Sequence, residues 1–173
     1  MKVEIYADGS GNTFDSDGGY GWRLVIDGVM FSEGSGYLPS ATNNVAEITA
    51  AIRGLEAAAA YINSSPLLAQ SPKQVVLVCD SQLVLGYANG AYKCKALHLS
   101  GLYIQLRKVY QALGASTRWV RGHSGDEHNE AVDKLAREAR KSKGSTCQTG
   151  QLETKSVSEN INDNIDSKTE IKD

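Results

Sequence analysis

At 173 residues, with 41% apolar side chains and 17 glycines, the chain holds material for one ordinary globular core. It contains no apolar run of about 18 residues, which excludes a helical membrane span. The net charge of −2 is unevenly spread: residues 1–143 carry 15 Lys and Arg against 14 Asp and Glu, and residues 144–173 carry 3 against 6, so composition alone points to no polyanionic partner.

The opening MKVEIYADG alternates Val3, Ile5 and Ala7 against Glu4 and Tyr6, the pattern of a half-buried strand rather than the apolar core of a signal peptide. Tyr20, Trp22, Leu24 and Ile26 alternate again. Asp27-Gly28 is a two-residue hairpin signal leading into a strand over 29–37, so three strands are predicted to form an antiparallel meander. SATNN supplies caps for a helix in which Val45, Ile48, Ile52, Leu55, Ala59 and Ile62 recur at helical steps. A loop carrying Pro66, Ser71 and Pro72 is expected to end it. VVLVC at 75–79 is continuously apolar, as expected of a strand covered on both faces.

A short helix over about 82–89 and a turn at Asn89-Gly90 follow. Ser100 is placed to cap a helix carrying Leu102, Leu106, Val109 and Leu113. The last strand is expected over 117–121. A final helix from about 126 to 141 would be buried through Val132, Leu135, Ala136 and Ala139. From Gly144 onward the composition turns polar and acidic, and the expectation is one folded domain at 1–143 followed by a disordered tail at 144–173. Three cysteines, Cys79, Cys94 and Cys147, without C-x-x-C spacing argue against a disulfide framework or a zinc site and suit a reducing cytoplasm, the expected location.

The order βββ-α-β-α-α-β-α implies an α/β fold with a five-stranded mixed sheet, three antiparallel strands followed by parallel ones. A right-handed crossover would set the fourth strand beside and parallel to the first. Each of these two strands ends in a carboxylate, Asp8 and Asp80, at the carboxyl edge where open α/β sheets carry their sites. Glu47 opens the crossover helix. Singly, Asp80 reads as a turn former, Glu47 as a complement to the helix dipole, and Asp133 as half of a solvated ion pair. Together, carboxylates gathered at one edge repel and raise one another's pKa unless a cation intervenes, and an all-oxygen set suits Mg²⁺ or Mn²⁺.

ADGS at 7–10, TNNVAEITAAI at 42–52, VCDSQLV at 78–84 and WVRGHSGDEHNEAVDKLA at 119–136 resemble the type 1 ribonuclease H family, in the same order over about residues 1–140. The resemblance implies the ribonuclease H-like fold and hydrolysis of the RNA strand of RNA–DNA hybrids, giving 5′-phosphate and 3′-hydroxyl ends. It implies two Mg²⁺ ions per site, with Mn²⁺ as substitute. Asp8 would bridge both ions, Glu47 and Asp80 would complete one site, and Asp133 the other. His123, between Gly122 and Gly125, matches a histidine that assists proton movement or product departure; His98 and His128 read as surface residues. Gly9, Ser10, Asn43, Asn44 and Gln82 match positions lining the hybrid's minor groove, Thr42 matches a DNA-phosphate anchor, and Asn12 is the candidate to replace the usual phosphate contact of the first loop.

The sequence departs from the family in two places. Gly90–Ser100 is short, with only Lys93 and Lys95 where many bacterial members carry a basic handle, and the first loop has Asp15 and Asp17 in place of Asn-Pro-Gly. The expected partner is the hybrid alone, with the protein acting as a monomer and off the membrane. Competing readings are another nuclease of the superfamily, acting on DNA or double-stranded RNA, and a binding module that has kept the fold. Four carboxylates disfavour the latter, since a binder gains nothing by setting negative charge beside phosphate.

Overall fold

The computed structural model describes residues 1–11 and 17–149. Its strands are β1 (Lys2–Ser10), β2 (Gly18–Ile26), β3 (Val29–Leu38), β4 (Gln74–Cys79), β5 (Ser116–Trp119) and β6 (Thr146–Thr149). The helices are α1 (Asn43–Asn63), α2 (Pro66–Gln70), α3 (Gln82–Asn89), α4 (Ser100–Ala112) and α5 (Glu127–Ser142), with a 3₁₀ turn at Leu97–Leu99 before α4. No helix among the described residues is long and apolar enough to cross a membrane.

The sheet runs β5-β4-β1-β2-β3-β6. β1 pairs antiparallel with β2 and parallel with β4, in a register that places Val3 opposite Val75 and Ile5 opposite Leu77. β4 and β5 are also parallel. The meander and the parallel neighbours β1 and β4 thus stand as the sequence implies.

Alternation along β1 decides which side each residue serves. Val3, Ile5 and Ala7 join Leu24, Leu77 and the buried residues of α1, α3 and α4 in the main core. Tyr6 joins Val25, Val76, Val78 and Val132 of α5 in a second, smaller core on the opposite face. Covering both faces is why β1 is buried throughout from Val3 to Asp8, rather than half-buried as its alternation suggests. Glu4 tolerates burial because Arg118 Nη2 reaches it at 2.8 Å and also donates to the Tyr6 hydroxyl at 2.9 Å, bridging β5 to β1 across β4.

Three elements differ from expectation. The Pro66 loop contains a short helix, because Ser65 caps it by accepting from Leu67 N and proline at the first helical position suits a helix start. The 3₁₀ turn precedes α4, so Ser100 lies inside that helix and its hydroxyl donates back to Leu97 O at 2.7 Å. The sheet has six strands rather than five: residues 146–149, at the start of the expected tail, pair antiparallel with β3, and the Ser35 and Thr146 hydroxyls lie 2.9 Å apart. The tail expectation for residues 150–173 lies outside the described residues.

Candidate active site

The β1 and β4 carboxyl ends place Asp8 and Asp80 at one edge of the sheet, and α1 brings the Glu47 turn down onto β1. Gly9 permits that approach: a Cβ on it would stand 2.2 Å from Glu47 N and 2.5 Å from the Ala46 carbonyl carbon. α5 comes close over β2 in the same way, since a Cβ on Gly21 would stand 2.5 Å from Val132 O, one residue before Asp133. The loop between β5 and α5 lies against Asp80, with Gly122 so near that a Cβ there would meet Asp80 Oδ2 at 2.8 Å. Trp119 Nε1 donates to Asp80 O at 3.0 Å and fixes the backbone at the end of β4.

The electrostatics show that the four acids form one group. Asp8, 8% exposed, has its pKa pushed up to about 8, first by loss of water and then by Asp80; its Gly9 N–H bond opposes this, and Asp133 and Glu47 add to it. Glu47 is also raised, chiefly by burial and further by Asp80, against hydrogen bonds from Ser81 and Asn43. Neither shift arises in a solvated cap or turn residue. Behind the site, burial pushes the Cys79 thiol far up, leaving it an inert apolar filler.

The donor set tests whether a cation fits. Four carboxylates, one of them raised by burial and by its neighbours, are an all-oxygen donor set, the chemistry that Mg²⁺ or Mn²⁺ satisfies. As the side chains stand, no three His, Cys, Asp or Glu among the described residues are arranged to share one ion. Two of the acids are engaged elsewhere: Asn43 Nδ2 donates to Glu47 Oε1 at 2.7 Å, and Arg137 Nη2 pairs with Asp133 Oδ2 at 2.7 Å. Glu47 and Asp133 would have to leave these partners to face a cation, and it is the chemistry of the four-carboxylate donor set that suits one.

The remaining expected site residues divide. His123 is exposed on the loop beside Asp80, with a left-handed φ of 52°. Gly9 N donates to Asp8 Oδ1 at 2.8 Å, and Ser10 Oγ meets Arg140 Nη1 at 3.4 Å. Asn43 ties the first loop to α1, since its Oδ1 accepts from Gly11 N at 3.1 Å. Thr42 caps α1 by accepting from Val45 N. Asn44 and Gln82 are exposed at the starts of α1 and α3, and Asn12 lies outside the described residues. His98 is exposed, whereas His128 is half-buried against Tyr6, 4.9 Å between rings, with Nδ1 3.3 Å from Arg23 Nη1. Sequence reasoning missed Ser81 as a Glu47 partner; its signal was the Asp-Ser step that starts α3 after β4.

The RNase H family model matches residues 1–141. This chain belongs to the RNase H family. A protein named ribonuclease H from Hydrogenovibrio crunogenus is 32% identical over 150 residues, covering 80% of this chain and 95% of its own. Another of that name, from Syntrophotalea carbinolica, is 33% identical, covering 79% and 90%. Among solved structures, RNase H1 of the archaeon Halobacterium salinarum has a TM-score of 0.68 at 30% identity, covering 82% of this chain and 99% of its own. The N-terminal RNase H domain of a Mycobacterium tuberculosis protein has 0.69 at 27% identity, covering 83% and 96%. The protein is therefore a nuclease, a hydrolase of phosphodiester bonds.

Proposed function

We propose that this RNase H hydrolyses the RNA strand of RNA–DNA hybrids internally, by two-metal-ion catalysis, leaving 5′-phosphate and 3′-hydroxyl ends. The observation that carries this reading is the burial of the Asp8 carboxyl together with the approach of Asp80, Asp133 and Glu47, which in that order push its pKa up to about 8. A buried group of acids beside phosphate is unfavourable for a binder and useful to a hydrolase that recruits cations. The curated relatives that share the whole domain are named ribonuclease H, which supports the hybrid as substrate.

Asp8 would hold both ions, Glu47 and Asp80 one, and Asp133 the other. Mg²⁺, with Mn²⁺ as substitute, supplies water activation and charge stabilisation at the leaving oxygen. The protein's own part is positioning. The Gly9 approach sets Glu47 against Asp8, Trp119 fixes Asp80 through its backbone, and the close fit of α5 on β2 sets Asp133. Asn43, Asn44, Gln82 and the backbone of Gly9 and Ser10 would face the minor groove, where 2′-hydroxyls distinguish RNA from DNA. Thr42 at the α1 start would meet a DNA phosphate. His123, exposed beside Asp80, would carry a proton to the leaving strand or ease its departure.

Cleavage of end-labelled hybrid, double-stranded RNA and DNA duplex, each with Mg²⁺ and with EDTA, tests the reading. Internal cuts in the RNA of the hybrid alone, lost in EDTA, are expected; an intact hybrid in Mg²⁺ overturns it. His123→Ala is expected to lower kcat ~100-fold with KM little changed. Single-turnover kinetics then separates its roles: an unaffected first turnover assigns it to product departure, and a slowed one to proton transfer.

A further inference from the structure

We propose that the C-terminal half of α5 is a phosphate-gripping stripe for the cleaved strand, doing from the opposite side of the site what the short Gly90–Ser100 segment is too poor in charge to do. The proposal rests on the hybrid-cleaving function above. Its basis is a cleft of about 440 Å³ lined by Ser10, Asp17, Arg137, Arg140, Lys141 and Lys143. Four cations there face one carboxylate, on a domain whose residues 1–143 are otherwise nearly neutral.

Helical geometry ties this cleft to the site. Positions 133, 137, 140 and 141 fall within one face of α5, so the carboxylate and the cations form a single row. Arg137 stands ~6 Å and Lys141 ~12 Å along the axis from Asp133, at 1.5 Å per residue. Phosphates of one strand advance ~3.4 Å per nucleotide along a duplex axis. A strand laid along α5 with one phosphate at Asp133 carries about three more before Lys141, and in this proposal it is the cleaved strand, the one that enters the carboxylate group.

Two of the four cations already hold a carboxylate, Arg137 with Asp133 and Lys143 with Asp17, and the other two carry no ion pair among the described residues. Arg140 reaches only the Ser10 hydroxyl, and Lys141 has no ion pair among the described residues. Lys143 Nζ lies 3.1 Å from Asp17 and 5.8 Å from the Tyr37 ring centre, so its position is defined by the cleft wall. The Asp17 carboxyl is held below its ordinary range by the Tyr37 hydroxyl and then by Lys143, and so stays ionised as their anchor. Cations in a last helical turn complement the helix dipole, which accounts for Arg140 and Lys141. It does not account for an open cleft that continues past the helix end to Lys143, whereas Arg137, a turn earlier, is placed by its i,i+4 pair with Asp133.

The test is Arg140→Gln/Lys141→Gln in the full chain, compared with wild type and with Arg140→Lys/Lys141→Arg. The neutral pair is expected to raise KM for the hybrid ~10-fold near 0.15 M salt with kcat within twofold. It should also flatten the slope of log affinity against log salt by ~1.8, about 0.9 per lost phosphate contact, while the charge-keeping pair stays near wild type. Shortening the hybrid from one end until it no longer reaches the row should erase the difference between wild type and the neutral pair. An unchanged KM and slope in the neutral pair, or a loss confined to kcat, overturns the proposal. Failure of the wild type to cut any hybrid overturns the function itself, a separate outcome.

Discussion

Asp8→Asn is expected to abolish hydrolysis while making the metal-free protein more stable. The acid sits where four carboxylates converge, and its pKa is pushed up to about 8 by burial first and by Asp80 next. Unfolded, it titrates in the ordinary range near 4. Between about pH 4 and pH 8 the folded chain therefore binds a proton that the unfolded chain does not. Stability falls as pH rises across that window, the opposite of an ion-paired aspartate. The upper bound is ~1.4 kcal/mol per pH unit, and sharing of the proton among coupled acids reduces it. Asparagine keeps the shape and the acceptor for Gly9 N–H but removes the charge. At pH 8 in EDTA, Asp8→Asn should gain ~2–4 kcal/mol and roughly 5–10 °C in Tm, with the gap closing near pH 4. Mg²⁺ should raise the Tm of wild type more than that of the variant, because ligand binding to the folded state stabilises it. Activity on the hybrid should drop ~10³-fold or more, since cation-derived charge stabilisation contributes several kcal/mol. Parallel pH slopes for the two proteins would contradict the electrostatic account, and retained activity would contradict the metal assignment.

This conflict between activity and stability also explains what could be read from the sequence. Val75–Cys79 and the α1 pattern announce buried elements because hydrophobic periodicity is a local signal, and Asp27-Gly28 announces the hairpin because its backbone demands φ > 0, which both residues show. The position of Asp80 just past β4 follows from the same signals, so the site's edge was legible, although β1 runs two residues beyond Asp8, to Ser10, because β2 continues to pair with it there. β6 was not: TCQT has no apolar face, all four residues are exposed, and its pairing with β3 uses backbone bonds and one hydroxyl contact. Helix α2 is five residues long with no buried side chain, leaving only the Ser65-Pro66 start as a sign. The engagement of Glu47 by Asn43 and of Asp133 by Arg137 obeys i,i+4 spacing, but so do many pairs that never meet. Only the packing of α5 over β2, permitted by glycines that carry no hydrophobic signal, brings Asp133 near Asp8 and Arg140 against Ser10.

Gly9→Ala tests that packing at its tightest point. The added methyl would lie 2.2 Å from Glu47 N, 2.5 Å from the Ala46 carbonyl carbon and 2.7 Å from Glu47 Cα, all backbone atoms of α1. No side-chain rotation relieves contacts with a helix backbone, so α1 must move by ~1 Å from β1, and overpacking of this kind costs ~1–3 kcal/mol or more. The same shift separates Glu47 from Asp8, and a ~1 Å misplacement in a site can cost ~100-fold in rate. Activity measured well below the variant's Tm should therefore fall ~100-fold, partly restored by higher Mg²⁺ if Glu47 acts as a ligand. Gly101→Ala is the control: it lies in α4 with nothing within 4 Å of an added Cβ, and should stabilise by ~0.5–1 kcal/mol without touching activity. A Gly9→Ala enzyme with wild-type rate and Tm would mean that α1 does not rest on β1 at this distance, and with it would go the account of how Glu47 reaches the carboxylate group.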